Sequence, residues 1–268
     1  MKWFFALNAL TEHLAAYSDM VKVAVVSARR HTTLEPIFLY DGPRNALVEW
    51  LEANGVRVIE RRTRIHDELA QLAAEKADPF ILQCGAGAFL RLEIPSLCVE
   101  QGWTDEEVLY TDCDIMFTAD VADQLPGLRG YFIGAAPEGE QHNPDFINSG
   151  VMLMRVPSLL QMEKPFWQFV HEKLARMVTF GWDQAAYQWF YRHGWKHLPL
   201  ELNWKPYWGI NDAARIIHFH GPKPFHRLAV EHRVALPQQL ELARGEGFAH
   251  YCRQWDACLA EANQVRAS

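Results

Sequence analysis

The sequence predicts an α/β protein built around a mostly parallel β-sheet, and three observations support that fold class. Strand and helix patterns alternate along roughly the first 60 residues, an order typical of parallel strands joined by crossover helices. Hydrophobic residues make up 49% of the 268 positions, which is enough for one large buried core. Polar residues stand at the predicted strand ends, where parallel sheets bind ligands. We therefore expect one domain over residues 1–268, with a first half at 1–120 and a second half at 121–268.

The first half contains the alternating pattern. Apolar runs predict strands at residues 3–8, 37–40 and 56–59, and helical spacing predicts the crossing helices at 17–30 and 45–53. Gly55 follows the second helix, at a position where glycine commonly ends helices. A further helix pattern begins after Pro79, runs through Arg91 and is expected to stop near Pro95.

The second half combines strands with helices that are rich in tryptophan. The patterns predict strands at 131–136, 151–156 and 215–220, and helices at 166–177 and 183–192. The triplet Asn148-Ser149-Gly150 is expected to form a loop before the second of these strands. Six of the ten tryptophans lie between Trp167 and Trp208. We expect most of them in the core and one or two as a stacking wall for a ligand ring.

The run 108–117 places two carboxylates, Asp112 and Asp114, inside an otherwise apolar stretch. On extended backbone, residues two positions apart project to the same side, so the two side chains should converge. Carboxylates suit Mg²⁺ or Mn²⁺, and a diphosphate could complete the coordination shell. This motif alone leaves two interpretations open. It is a metal and diphosphate site at a strand end, or a strand entering a loop whose acids cap the next helix or stay solvated.

Composition excludes several classes of function. The formal net charge of −7 argues against nucleic-acid binding, which needs clustered Lys and Arg. Five cysteines without paired metal-ligand spacing argue against a disulfide framework or a zinc site, and favour a reduced cytoplasmic setting. The apolar run from Trp3 to Leu10 is too short for a signal peptide or a membrane span, so no transmembrane segment is expected.

Taken in order, several segments resemble the family 8 glycosyltransferases, retaining enzymes of the GT-A fold that use a nucleotide sugar and usually Mn²⁺. The matching segments are FALN at 5–8, LRLEIP at 90–95, the Asp-Cys-Asp run at 108–117, FINSGV at 146–151, DQ at 183–184, LP at 198–199 with Asn203, and IHFHGPKP at 217–224. They cover nearly the whole chain. The resemblance implies a Rossmann-like sheet, a nucleotide-binding half at 1–120 and a sugar and acceptor half at 121–268 with a helical, Trp-rich C-terminal part.

The resemblance assigns the metal and diphosphate residues. It makes Asp112, Asp114 and His218 the metal ligands, places Lys223 at the diphosphate and includes Gly221 in the same substrate-binding turn. A neutral imidazole beside two carboxylates favours Mn²⁺, with Mg²⁺ as the alternative. Without the resemblance, His218 would be interpreted as a core histidine and Lys223 as a lysine in a surface loop.

The same resemblance assigns the sugar side of the site. Arg91 corresponds to an arginine near the donor sugar, although by itself it would be read as a helix-surface ion pair. Asn148 and Gln184 match positions around the sugar and the reacting face. Asp183 either binds sugar hydroxyls or favours the positive N-terminus of its helix. Asn8 matches a position near the nucleotide base.

Three positions depart from the family pattern. The family often has Asp where Asn8 stands, an acid where Ala185 stands and Trp where Phe225 stands. These departures affect the recognition of the base and the sugar. The metal and diphosphate residues are all present.

The function that the resemblance implies is transfer of a sugar, from a donor that is UDP-linked in the family, to the hydroxyl of a saccharide, glycolipid or protein. Lys223, Asp183 and Gln184 are the expected catalytic residues. Because a glutamine amide is a poor nucleophile, we favour attack on the front face, assisted by the leaving phosphate.

Two rival functions are weighed against it. A sugar nucleotidyltransferase would need a Gly-rich, basic N-terminal loop, and residues 8–18 contain neither glycine nor Lys or Arg. A nucleotide-sugar-binding protein without turnover would be consistent with Ala185.

Overall fold

The computed structural model describes residues 1–192 and 194–264; His193 and residues 265–268, which include the end of the predicted domain, lie outside the described residues. The chain divides into two compact units. The sheet unit comprises Met1–Leu14, Glu35–Thr111 and Pro126–Leu198. The ribbon unit comprises Ala15–Leu34, Asp112–Leu125 and Pro199–Ser268.

Strands and helices alternate at the start of the chain. The strands are β1 (Lys2–Asn8), β2 (Glu35–Asp41), β3 (Arg57–Glu60), β4 (Glu107–Thr111), β5 (Ile115–Phe117), β6 (Ile133–Pro137), β7 (Ile147–Arg155), β8 (Trp195–His197) and β9 (Ile216–His218). The helices are α1 (Leu14–His31), α2 (Ala46–Ala53), α3 (His66–Glu75), α4 (Phe80–Ala88), α5 (Ile94–Glu100), α6 (Val156–Gln161), α7 (Glu163–Phe180), α8 (Trp182–Tyr191), α9 (Arg227–Glu231), α10 (Pro237–Leu242) and α11 (Glu246–Gln264). Short 3₁₀ turns lie at Phe89–Glu93, Leu200–Asn203, Pro206–Trp208 and Pro224–His226. Strands β4 to β7, and then helices α6 to α8, follow one another without alternation.

The sheet unit is built on a seven-stranded sheet with the order β3-β2-β1-β4-β7-β6-β8. Strand β1 runs parallel to β2 and β4, β2 runs parallel to β3, and β6 runs parallel to β8. Only β7 is antiparallel to its neighbours β4 and β6 within this sheet of described residues. The predicted mostly parallel α/β sheet is therefore confirmed. The strand order reverses between β1 and β4, and such a reversal marks the usual ligand-binding crevice of an open α/β sheet.

Helices of the sheet unit cover one face of the sheet. Phe4, Leu39 and Tyr110 come from β1, β2 and β4 and pack in one cluster with Leu69 of α3 and Tyr187 of α8. Alternate residues of the same strands, such as Phe5 and Phe38, are fully buried as well. Burial on both faces explains why these strands read as continuous apolar runs.

The predicted second helix is confirmed by its cap. Asn45 precedes α2 in extended conformation, and its side chain accepts hydrogen bonds from the backbone N–H groups of Leu47 and Val48. Gly55, with φ of +64°, follows the helix. The glycine is the sequence signal on which the predicted helix end rested, and asparagine is a residue type that commonly caps helices.

The predicted helix stop near Pro95 is wrong. The helical segment α4 passes through the 3₁₀ turn Phe89–Glu93, and Pro95 then lies in the first turn of α5. A proline is tolerated there because the first helical N–H groups have no partner inside the helix. Helix α3 was not predicted at all.

Three further boundaries differ from the prediction. The triplet Asn148-Ser149-Gly150 belongs to strand β7 and does not form a loop. The run 108–117 forms two strands, β4 and β5, because the chain bends at Cys113 and Asp114. Strand β9 ends at His218, so His220 lies beyond it.

The ribbon unit contains the antiparallel pair β5 and β9, with Ile115 opposite His218. Helix α1 supports β5, since the N–H of Phe117 donates to Ser27 Oγ at 3.0 Å. Cys258 Sγ of α11 donates to the carbonyl of Val23 in α1 at 3.8 Å. As far as the chain is described, none of its helices combines the length and the apolar character needed to cross a membrane.

Candidate functional site

The ribbon unit brings Asp112, Asp114 and His218 together. One ligand atom from each of the three residues lies within 4.8 Å of the other two. His218 Nε2 is 3.8 Å from Asp112 Oδ2 and 3.4 Å from Asp114 Oδ1. The strand register produces this arrangement, because His218 pairs with Ile115, the residue after Asp114. The carboxylates converge as predicted, although the backbone between them is bent and not a continuous strand.

The three side chains have different environments. Asp114 and His218 are buried, whereas the side chain of Asp112 is 30% exposed. Asp114 Oδ1 is buried and accepts no hydrogen bond from the described residues. A buried carboxylate oxygen without a donor is costly, and a cation would satisfy it. The oxygen and nitrogen donors of this cluster therefore fit a divalent metal ion.

The protonation states also suit a metal site. Burial lowers the pKa of His218, so its imidazole is neutral near neutral pH. Burial by itself would raise the pKa of Asp114, but the positive charge of Lys223 and the contact with His218 outweigh it, and the pKa of this carboxyl falls below its usual range. A neutral imidazole and an ionised carboxylate are the forms that bind metals.

Asn203 orients the histidine. Its Oδ1 lies 2.9 Å from His218 Nδ1, and both residues are buried. An amide oxygen only accepts, so this contact places the ring hydrogen on Nδ1 and leaves the lone pair of Nε2 facing the two carboxylates. The sequence had offered Asn203 only as part of a family motif. Its spacing of 15 residues from His218 carries no local signal of contact.

Lys223 lies against Asp114 of this cluster. Its ammonium forms an ion pair with Asp114 and donates to the carbonyl of Phe219 at 2.8 Å. Gly221 has φ of +95°, and a Cβ at this position would lie 2.8 Å from the side chain of Leu242. The positive φ therefore favours glycine in the turn that presents Lys223, whereas the contact with the end of the Leu242 side chain could be relieved by a rotation of that side chain.

A second cluster of predicted site residues lies in the sheet unit, around the first turn of α8. Arg91 Nε is 3.1 Å from Asp183 Oδ2, and Arg91 Nη1 donates to the carbonyl of Ser149 at 2.7 Å. The guanidinium also lies over the ring of Tyr110, 4.3 Å from its centroid. Arg91 and Asp183 are only 5% and 4% exposed, so the interpretation of Arg91 as a surface ion pair is wrong.

Gln184 and Asn148 belong to this α8 cluster. Gln184 Oε1 accepts from the backbone N–H of Ser149 at 3.0 Å and lies 3.4 Å from Asn148 Nδ2. Asn148 Nδ2 donates to Glu138 Oε2 at 2.7 Å. The sequence analysis assigned no role at the site to Glu138 or to Ser149. Ser149 takes part through its backbone groups, which every residue type possesses.

Asn8 lies at the end of β1 and is buried. Its Oδ1 accepts from the N–H of Leu10 at 2.8 Å, and its Nδ2 donates to the carbonyl of Gln83 at 3.0 Å. Gly87 packs closely on this amide, since a Cβ there would lie 2.6 Å from Asn8 Nδ2. The structure therefore fixes the orientation of the Asn8 side chain at the end of the first strand.

Solved structures of glycosyltransferases share this fold. The glycosyltransferase GlyE of Streptococcus pneumoniae TIGR4 superimposes with a TM-score of 0.62 and 16% sequence identity, over 99% of this chain and 65% of its own. The galactosyltransferase LgtC, solved with donor and acceptor sugar analogs, gives a TM-score of 0.64 and 15% identity, over 97% of this chain and 96% of its own. Mouse xyloside xylosyltransferase 1 gives 0.56 and 15%, over 82% of this chain and 98% of its own.

No protein-family profile and no curated protein sequence matches the chain. At 15–16% identity the similarity to GlyE and LgtC establishes the fold. The GT-A fold implied by the sequence is therefore confirmed, and these three structural neighbours are glycosyltransferases.

Proposed function

We propose that the protein is a metal-dependent, retaining glycosyltransferase that moves a sugar from a UDP-sugar to the hydroxyl of a saccharide, glycolipid or protein. The observation that carries the proposal is the cluster of Asp112, Asp114 and His218, with Lys223 beside it, in a chain with the GT-A fold. The fold supports a glycosyltransferase, and the cluster, with a bound metal ion and Lys223, offers the positive charge that would stabilise a departing diphosphate.

Asp112, Asp114 and His218 would hold the metal ion. When bound, a divalent ion would supply positive charge against the departing diphosphate. The mixed oxygen and nitrogen donor set favours Mn²⁺ over Mg²⁺. Lys223 supplies a second positive charge from the turn that begins at Gly221.

The α8 cluster supports the sugar side of the proposal. The Arg91–Asp183 pair and Asn148 offer charged and amide groups to sugar hydroxyls, and Gln184 is held by the N–H of Ser149. We assign Gln184 to the reacting face. Its amide is a poor nucleophile, so the proposed mechanism is front-face attack in which the leaving phosphate takes the acceptor proton.

The remaining assignments belong to the same proposal. Asn8 contacts the nucleotide base, and residues 1–268 form one functional domain with a nucleotide-binding half at 1–120 and a sugar and acceptor half at 121–268. The cysteine pattern of the sequence supports a reducing, cytoplasmic location.

The test is a turnover assay with UDP-sugars and Mn²⁺, in which released UDP is measured with and without acceptors and the anomeric configuration of the product is read by NMR. We expect UDP release that stops in excess chelator and in the Asp112→Asn variant. Asp112 is chosen because its side chain is partly exposed, so its substitution disturbs the fold less than substitution of the buried Asp114. Pyrophosphate release from UTP and a sugar phosphate would identify a nucleotidyltransferase instead. Donor binding without any release would identify a binding protein.

A further inference from the structure

The sheet unit contains a pocket of about 470 Å³ that none of the assigned residues line. It is lined by residues of α7, α8 and β8, by Arg192 after α8 and by Asp145 of the loop before β7. Its lining residues fall into three kinds: the cations Lys173, Arg176 and Arg192; the aromatic residues Phe169, Trp189 and Trp195; and the polar residues Asp145 and Gln188.

The charge of this pocket is opposite to that of the chain. Three cations and one carboxylate give the lining a formal charge of +2, whereas the whole chain carries −7. Within residues 1–192 and 194–264, none of the three cations forms an ion pair with a carboxylate. The three cations are exposed to solvent, and a concave surface lined by one sign of charge raises the local concentration of counter-ions, here anions.

Helix periodicity concentrates two of the cations on one face. Phe169, Lys173 and Arg176 are spaced by four and three residues along α7, so their side chains lie on the same side of the helix. Like charges at this spacing repel each other and destabilise a helix. A bound carboxylate or phosphate between Lys173 and Arg176 would remove that repulsion. Arg192, which follows α8, contributes a third positive charge to the same pocket.

The aromatic residues indicate a ligand with a ring. The guanidinium of Arg176 lies over the ring of Trp189, 4.9 Å from its centroid, which restrains the guanidinium and leaves its edge free to donate. Trp195 and Phe169 add apolar surface to the same wall. A sugar ring has apolar C–H faces that pack on such surfaces, while the Asp145 carboxylate is a suitable acceptor for sugar hydroxyls.

The pocket is one helical turn from the α8 cluster. Gln184 contributes to that cluster, and Gln188 lines the pocket four residues later on the same helix, about 6 Å along its axis. Gln188 Nε2 donates to the carbonyl of Asp145 at 2.9 Å. Asp145 in turn lies three residues before Asn148, the other amide of the α8 cluster. The pocket and the α8 cluster are therefore neighbours along one helix, linked by Gln188 and Asp145.

We propose that this pocket binds an acidic saccharide, a sugar ring that carries a carboxylate or a phosphate. We assign the acidic ring to the acceptor, and this assignment rests on the proposed transferase function. The pocket then selects the acceptor class, while the metal and α8 residues act on the donor.

The experiment is calorimetric titration of the full chain in chelator, without nucleotide, so that the result does not depend on turnover or on metal. The probes are a glucuronate-containing disaccharide, glucose 6-phosphate, neutral lactose and inorganic phosphate. The pocket variant combines Lys173→Ala, Arg176→Ala and Arg192→Ala. The control variant removes three exposed cations that do not line the pocket, with Lys76→Ala, Arg129→Ala and Lys164→Ala, and changes net charge equally.

We expect at least one acidic sugar to bind at least tenfold more tightly than lactose and inorganic phosphate, and to lose at least tenfold in affinity in the pocket variant only. The two acidic probes distinguish a carboxylate ligand from a phosphate ligand. Equal loss in the control variant, equal binding of lactose, or phosphate binding as tight as that of the acidic sugars would overturn the proposal. Failure of the UDP-release assay alone would leave this binding result intact, so the two proposals fail separately.

Discussion

Asn203 Oδ1 lies 2.9 Å from His218 Nδ1, in a buried contact that fixes which nitrogen of the ring faces Asp112 and Asp114. The orientation comes from the chain itself, because Asn203 ends a 3₁₀ turn and the next residue, Trp204, bridges to Ile217 of β9. A histidine held in one tautomer needs no rearrangement before it binds a metal ion.

Replacing Asn203 with leucine should therefore weaken metal binding. The leucine is of similar size but cannot accept the Nδ1 hydrogen, and loss of such a partner typically costs 10–100-fold in metal affinity. We expect a loss of about that size in a calorimetric Mn²⁺ titration, with unchanged circular dichroism. Asn203→Asp, which keeps an acceptor, should retain most of the affinity. Equal affinities for the leucine variant and the wild type would remove Asn203 from the site.

His218 and His220 should respond differently to substitution by alanine. His218 Nε2 faces both carboxylates, whereas Nδ1 of His220 lies 3.1 Å from the hydroxyl of Tyr207. His218→Ala should raise the Mn²⁺ concentration for half-maximal UDP release about tenfold or more, while His220→Ala should leave it within about twofold. The reverse ranking would show that His220, and not His218, is the metal-binding histidine of the motif at 217–224.

Arg91→Ala should destabilise the fold strongly. The substitution leaves the Asp183 carboxylate buried without its partner. Removing one partner of a buried ion pair lowers the free energy of unfolding by about 3–5 kcal/mol. The measurement is the free energy of unfolding from urea denaturation. Arg244→Ala is the matched control, because Arg244 pairs with Glu241 on the surface and such pairs contribute at most about 1 kcal/mol. Equal losses for the two variants would contradict the structural role of the Arg91–Asp183 pair.

The cysteines should differ in their reactivity at pH 8. Burial raises the pKa of Cys98 and that of Cys252 to about 12, so almost none of either thiol is ionised at this pH. Cys84 is partly exposed. Since the thiolate is the reactive form, iodoacetamide should modify Cys84 first, and Cys98 and Cys252 should react only after unfolding. Peptide mass spectrometry reads the order directly, and early labelling of Cys252 would contradict the burial of α11.

The sequence predicted those features that local patterns determine. Strands β1 to β3 and the helices between them follow from apolar runs, helical spacing and the Gly55 stop. The convergence of Asp112 and Asp114 also followed from their spacing, even though a bend replaces the straight strand.

The features that the sequence missed depend on tertiary contacts. Asn148, Ser149 and Gly150 have low strand propensity, but pairing of β7 with its neighbours overrides it. The burial of Arg91 depends on Tyr110 and Asp183, which are distant in sequence. The contact between Asn203 and His218 has no periodicity that a pattern search can use. The roles of the site residues toward donor and acceptor stay predictions.

Lys223→Ala should lower kcat more than it raises the KM of the donor. In the structure the Lys223 ammonium pairs with Asp114 and donates to the Phe219 carbonyl, so the charge is held beside Asp114 before any donor binds. Diphosphate charge grows as the glycosyl bond breaks, and a fixed cation therefore stabilises the transition state more than the bound donor. Removing one such electrostatic group typically costs about 10²–10³ in kcat.

The measurement is the rate of UDP release as a function of donor concentration, fitted for kcat and KM separately. Lys223→Arg should retain part of the rate, because it keeps the charge but not the compact geometry of the ammonium. Lys164→Ala, a change at an exposed lysine of α7, is the control for net charge and should behave as the wild type. If KM alone rises, Lys223 contributes equally to ground-state and transition-state binding. If neither constant changes, its pairing with Asp114 has only a structural role, and the second positive charge at the diphosphate must come from another residue.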